Sequence, residues 1–303
     1  MSFIKRLGTD LRRNRILLLM SLPGLALLIL FRYVPMYGIL IAFKKYQLFK
    51  GFFASPWCGF ANFISFFNDP FFFRLVRNTF LLGLYGILWT FPAPIVLALV
   101  LNEVHNSALK RFTQTVSYIP YFVSTVIIVG LLKVFFSADG IVNSVVAVFG
   151  GKAIIFFNQP GWFRSLYIGS DIWQTIGYGS IIYLAAITGI DQEMYEAARI
   201  DGASRAQSIA HITIPCLIPT ISILLIMRVG SILSVGFDKI YLMYSPATYE
   251  TADVISTYVY RRGITQANYG FGTAVGLFNS VIGLIFVVGA NYFSRAFLEE
   301  SLW

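Results

Sequence analysis

The chain has 303 residues, of which 57% are hydrophobic and only 12% charged. A soluble domain carries about 25% charged residues, so this deficit excludes a soluble globular class and points to a polytopic membrane protein. The net charge of +9 does not imply nucleic acid, because basic residues in a membrane protein anchor span ends against anionic headgroups.

Segment 1–15 holds Lys5, Arg6, Arg12, Arg13 and Arg15 ahead of the first apolar run. It is too charged for a signal-peptide leader, and no small-residue cleavage site follows. An uncleaved first helix with a cytoplasmic N-terminus is expected. Residues 16–303 read as a single membrane domain, since no window is long and polar enough to fold apart from it.

Crossing the hydrocarbon core takes roughly 20 apolar residues per helix. Six spans are expected, at about 16–43, 79–101, 116–136, 166–190, 217–234 and 273–290. The first contains Pro23, Arg32 and Pro35 and is expected to kink or to begin along the interface. In the second, Phe91-Pro92-Ala93-Pro94 breaks a lone helix unless protein neighbours satisfy the freed backbone. The fold class is therefore all-α integral membrane.

With the N-terminus inside, the inner segments 1–15, 102–115, 191–216 and 291–303 hold ten Lys and Arg, and the longer outer loops hold ten more. The bias is one of density, set mainly by the first span. Both termini are then cytoplasmic, and Cys58 and Cys216 fall on opposite sides. The first outer loop carries Phe49, Phe52, Phe53, Trp57, Phe63, Phe66, Phe67 and Phe71 to Phe73. An aromatic belt with packing at the interface is the plainer account; a docking surface for an external partner is the other.

Several chemistries are missing. The two histidines, His105 and His211, form no zinc-binding spacing with the cysteines. Gly150-Gly151-Lys152-Ala153 resembles a phosphate loop but lacks the earlier glycine and the Ser/Thr after lysine. No metal and no nucleotide site of this chain's own is expected. Arg32, Lys133, Asp171 and Arg228 are the ionisable residues near or within spans, and snorkelling at span ends accounts for them cheaply. No acidic or histidine relay suggests an ion-driven carrier.

The informative segment is polar: residues 191–215, between the fourth and fifth spans. Asp191 is an expected N-cap, and Gln192 to Arg199 are good helix formers. Ala197 and Ala198 give a flat face that another protein can approach. Gly202 permits a bend that a residue with a Cβ resists. A second short helix is expected over 204–211, leading to Pro215, where the fifth span begins. The whole reads as a helix–turn–helix lying along the membrane.

Glu196-Ala197-Ala198, then Gly202, then Ile212-Thr213-Ile214-Pro215 resembles the signature of ABC importer permeases. Asp201-Gly202-Ala203 with Pro219 resembles the carbohydrate-uptake form. Tyr33-Val34-Pro35-Met36-Tyr37-Gly38, Gly59-Phe60-Ala61-Asn62-Phe63, Arg77-Asn78-Thr79, Leu101-Asn102-Glu103-Val104, Tyr118-Ile119-Pro120-Tyr121 and Ser301-Leu302-Trp303 resemble the polysaccharide-uptake (LplB-like) branch. The larger permeases of the maltose type carry extra spans and a big outer domain, both absent here.

The resemblance implies a permease of a type I, binding-protein-dependent importer in the bacterial cytoplasmic (inner) membrane. It implies a heterodimer with a second homologous permease, two cytoplasmic ATPases, an extracellular or periplasmic solute-binding protein and an oligosaccharide cargo. ATP and Mg would be bound by the ATPases, with no cofactor on this chain. Glu196, Ala197, Ala198, Asp201, Gly202, Ala203 and Pro215 would form the coupling helix that the ATPase grips.

Sugar sites pair aromatic platforms with amides and charges. Asp171, Trp173, Gln174, Tyr178, Tyr183 and Asn279 are the substrate-path candidates, although helix packing is the plainer account of each alone. Gly276 and Ser280, four apart, read as a close helix approach. The alternatives are a permease for a non-sugar solute, or a membrane-embedded enzyme on lipid-linked sugars, against which the lack of paired carboxylates counts.

Overall fold

The computed structural model describes residues 15–298; the basic cluster before Arg15 and the Ser301-Leu302-Trp303 ending lie outside them. Among the described residues there is no strand, only one isolated bridge between Lys44 and Trp57. The labelled helices are α1 Arg15–Phe43, α2 Phe72–Glu103, α3 Ser107–Phe122, α4 Thr125–Phe135, α5 Ile141–Val148, α6 Pro160–Thr188, α7 Gln192–Ile200, α8 Arg205–Gly230, α9 Phe237–Met243 and α10 Tyr269–Leu298. Among the described residues four helices are long and apolar enough to cross a membrane: α1, α2, α8 and most of α10. The count is five if α3 and α4 together make one span.

The helices run through their prolines by a repeated device. π turns at Ile29–Tyr33, Gly86–Thr90 and Ile209–Thr213 end two residues before Pro35, Pro92 and Pro215. Proline lacks an N–H and its ring clashes with the carbonyl four residues back. A single wide turn takes up that mismatch without ending the helix. α2 passes Phe91-Pro92-Ala93-Pro94 unbroken, with Pro94 packed close to Gly179 of α6, the kind of protein neighbour on which that tolerance is expected to depend. The expected separate helix over 204–211 is instead the first part of α8, continuous through Pro215 and Pro219 to Gly230.

The third expected span, 116–136, is not one straight helix. α3 and α4 meet at 102° across Val123-Ser124, where both residues are extended and Ser124 caps α4 by accepting from the Ile127 amide. α6 begins at Pro160, before the expected Leu166. Its 29 residues reach about 43 Å, enough to span, but Arg164, Asp171, Gln174 and several hydroxyl groups keep it outside the apolar set.

The described residues fall into two compact units. One comprises 15–67 with 262–277. Here Asn62 donates to the carbonyls of Ala42 (2.8 Å) and Lys44 (3.2 Å), holding the loop after α1 against the helix end. Lys44 donates to the Phe52 carbonyl and sits over the Phe52 and Trp57 rings. Phe66 is buried edge-on to Phe271, while Phe49, Phe53, Trp57 and Phe60 stay exposed. Packing thus accounts for part of the aromatic loop and leaves the rest on the surface. Gly276 is exposed, with no described atom within 4 Å of where a Cβ would stand.

The other unit comprises 68–261 with the rest of α10. Its core has two layers along α6. Leu82, Phe163, Leu166, Ile240 and Met243 form one cluster, and Ala98, Leu101, Leu184, Ile187 and Leu217 form the other. The segment 246–261 is clamped to the heads of α2 and α6. Fully buried Asp253 accepts from Arg261 (2.7 Å) and Arg74 (3.3 Å), and Asn78 donates to the Glu250 and Asp253 carbonyls. Arg164 donates to Asn78 at 3.0 Å, and Thr251 donates to the Pro160 carbonyl at 2.6 Å.

Candidate functional site: the handle and a polar cavity

The handle forms for local reasons. Asp191 caps α7 by accepting from the Glu193 amide at 3.0 Å. The chain then reverses at Gly202, whose φ of +80° is left-handed and which has no atom near an added Cβ. The amides of Asp201, Gly202 and Ala203 close back on the carbonyls of Ala197, Arg199 and Ala198. Ser204 and Gln207 form a capping box that starts α8. The two arms are joined where the Tyr195 and Thr213 hydroxyls meet at 2.9 Å.

No residue of α7 is buried. Met194, Ala197 and Ile200 recur at helical spacing and are exposed, Ile200 at 87%. Glu196, Asp201, Gly202 and Pro215 are likewise exposed, and Ala198 and Ala203 half-buried. An open cavity of about 720 Å³ lies beside the handle, lined by Glu103, His105, Tyr195, Arg199 and Arg205 among others. A smaller one of about 290 Å³ touches Ala198, Gly202, Ala203 and His211. A short exposed helix with an apolar stripe, small residues and cavities on both flanks is a surface that a second protein can grip. It offers no chemistry of its own.

The substrate-path candidates divide. Asp171 and Gln174 share a face of α6, and both meet Lys239 of α9, at 3.6 Å and 3.4 Å. Lys239 is nearly buried and also lies over the Tyr167 ring. Burial pulls its pKa below the usual lysine value, opposed by the Asp171 charge. Tyr178 stacks flat on Tyr121, with centroids 3.9 Å apart. Asn279 donates to the Leu233 carbonyl at 3.4 Å, leaving its own oxygen buried without a partner. Trp173 instead faces an apolar crevice of about 280 Å³ with Leu131 and Phe135. Tyr183 is buried in the core beside Ala98 and Leu217.

Lys239 was not among the sequence candidates. It stands in what reads as an outer loop, and only the fold of 231–243 brings it to α6. No group of His, Cys, Asp and Glu able to hold a metal occurs among the described residues.

The family of binding-protein-dependent transport system inner membrane components matches residues 90–299. Protein LplB of Bacillus subtilis (strain 168) is 46% identical, over 97% of this chain and 92% of its own. The polygalacturonan/rhamnogalacturonan transport system permease YteP of the same organism is 44% identical, over 99% and 94%. Among solved structures, a bacterial ABC transporter importing the acidic polysaccharide alginate superposes with a TM-score of 0.90. It is 45% identical, covering 96% of this chain and 99% of that one.

Proposed function

This chain belongs to the binding-protein-dependent transport system inner membrane components, and on that premise we propose that it forms half of the pore of an importer for oligosaccharides or polysaccharide fragments. It is a permease subunit and not an enzyme; separate ATPase subunits hydrolyse ATP and hold the ATP and Mg. The observation that carries the reading is the exposed handle α7, capped at Asp191 and reversed at Gly202, set between two long helices.

In this reading the chain crosses the bacterial inner membrane six times, in α1, α2, the bent α3–α4 pair, α6, α8 and α10, with both termini in the cytoplasm. The handle is then the coupling helix: Glu196, Ala197 and Ala198 meet the ATPase, Asp201, Gly202 and Ala203 set the bend, and Pro215 leads the motion into α8. A second, homologous permease completes the pore. The apolar stretch of α1, none of it buried within this chain, offers that partner surface. A related complex has been solved with an alginate pentasaccharide-bound periplasmic protein, which supports a solute-binding protein as the delivering partner. Sugar passes near Asp171, Gln174, Tyr178 and Asn279; Trp173, on an apolar crevice, and Tyr183, buried in the core, stand apart from that group. Nothing in the structure favours a non-sugar solute.

The test is uptake by the complete complex reconstituted in vesicles. Glu196→Ala and Gly202→Val are expected to lower substrate-stimulated ATP hydrolysis at equal protein abundance. Full stimulation in both variants removes the coupling role. Absence of any sugar uptake by the wild-type complex with its binding protein removes the function.

A further inference from the structure

At the upper end of α8 the chain unwinds. Residues Ser231 to Gly236 are non-helical between α8 and α9, and with α2 and α6 they enclose a polar cavity of about 240 Å³. Irregular backbone at membrane depth persists where protein or water satisfies it, so a wet cavity at this point is physically consistent. Gly83 and Gly86 of α2, Asp171 of α6, Arg228 in the last turn of α8, and Ser231 and Ser234 line it.

The charges around this cavity do not cancel. Asp171 is already paired with Lys239. Among the described residues Arg228 has no carboxylate within ion-pair distance; the Lys239–Asp171 pair lies on the same cavity and does not include it. Its guanidinium lies over the bare backbone of Gly86, with one nitrogen 2.7 Å from where a Cβ of residue 86 would stand. A snorkelling arginine extends its head away from the protein toward the interface. This one lies back over α2 and lines the cavity. Arg228 is exposed in the last turn of α8, open to the cavity, and an unpaired cation at the end of a span that turns inward is a default candidate for a substrate path.

We propose that Arg228, seated on Gly86, is the carboxylate-reading residue of the translocation path, and that the cargo is an acidic, uronate-bearing oligosaccharide. This rests on the sugar-permease reading above. The guanidinium is planar and presents paired N–H donors that match both oxygens of a carboxylate, which an ammonium does not. The cavity is smaller than the roughly 300–1,000 Å³ of drug-sized ligand sites. It accommodates the acid group of one sugar unit at a time, not an oligosaccharide. Lys239 and Gln174 beside Asp171 continue the polar surface along α6. A neutral sugar has no group that compensates Arg228, so the site discriminates by charge.

The experiment uses the assembled complex of this chain, its partner permease and ATPases, without the binding protein, so that delivery does not bias the outcome. Equilibrium binding of a galacturonate tetrasaccharide is compared with that of its carboxyl-reduced, neutral counterpart. Arg228→Gln is expected to weaken the acidic ligand by about tenfold or more and to leave the neutral one within about twofold, with Arg228→Lys intermediate. Gly86→Ala keeps the charge but displaces the guanidinium, and is expected to weaken the acidic ligand selectively. It decides the matter should Arg228→Gln fail to assemble with the ATPases. Equal weakening of both ligands makes Arg228 structural and overturns the proposal, as does no change in either. A wild-type complex that binds the neutral tetrasaccharide and not the acidic one overturns the carboxylate site and leaves the sugar-permease reading standing. A wild-type complex that binds neither overturns both.

Discussion

The hydroxyl groups of Tyr195 and Thr213 lie 2.9 Å apart, joining the exposed handle helix α7 to the π turn inside α8. Tyr195 is half-buried and Thr213 almost fully buried, so the bond sits at the hinge between the gripped surface and the span that must follow it. Beside it the two arms are separated by an open cavity, which transmits no force.

Breaking this bond should loosen the joint without dissolving the handle. Tyr195→Phe leaves the ring in place and removes a hydrogen bond of about 1 kcal/mol net. The expected outcome is less sugar transported per ATP hydrolysed in reconstituted vesicles. Thr213→Val should act in the same direction, and the double variant should be no worse than the more affected single, since one bond is lost in each. Additive losses would show that the two residues act separately.

Gly202 tests the bend independently. Its φ of +80° costs an ordinary L residue roughly 1–2 kcal/mol, and open space around the position means that size is not the issue. Gly202→Asn should therefore retain more ATPase binding than Gly202→Ala, despite the larger side chain, because asparagine tolerates this conformation. Co-purification of the ATPases with each variant measures the order. The reverse order would mean that bulk, not backbone, governs the contact.

The handle was legible from sequence because its determinants are local: a cap at Asp191, a glycine at 202 and a Ser204–Gln207 box all act within a few residues. The prolines were legible as stress points tolerated among protein neighbours, but the wide turn just upstream that absorbs their cost was not. The bend at Val123-Ser124 has no strong local signal, since neither residue is glycine or proline. The grouping of Asp171, Gln174 and Lys239, and the position of Arg228 over Gly86, depend on how 231–243 folds back on α6 and α2. No periodicity in the chain records that.

Asp253 holds the segment 246–261 to the head of α2. Its side chain has no exposure, while Arg74 and Arg261 are each less than one-third exposed. Removing the shared anion leaves two cations close together with buried donors, a loss of about 3 kcal/mol by the usual cost of breaking a buried pair. Asp253→Asn should lower the unfolding temperature of the purified complex more than Arg74→Met, which spares the shorter Arg261 bond. Equal shifts for the two variants would mean that the clamp is carried by the Asn78 and Thr251 bonds instead.

The Lys239–Asp171 pair should be visible as a coupling. Lys239→Met removes the buried cation and leaves Asp171 unpaired; Asp171→Asn leaves the cation unpaired; the double variant removes both charges. The double should therefore be more stable than the sum of the singles implies, by roughly 0.5–3 kcal/mol. The pH dependence follows from the direction of the lysine shift. Burial lowers the folded pKa of Lys239 below 10.5, and the Asp171 charge opposes that lowering. In Asp171→Asn the opposition is gone, so the folded value falls further. Between that value and the ordinary 10.5, the unfolded chain holds the proton and the folded chain does not, so folding stability rises with pH across this window. Thermal unfolding of Asp171→Asn against wild type, as pH is raised toward 10.5, should show a gap that narrows as pH rises. A gap independent of pH would mean that Asp171 stabilises α6 through packing and not through the lysine.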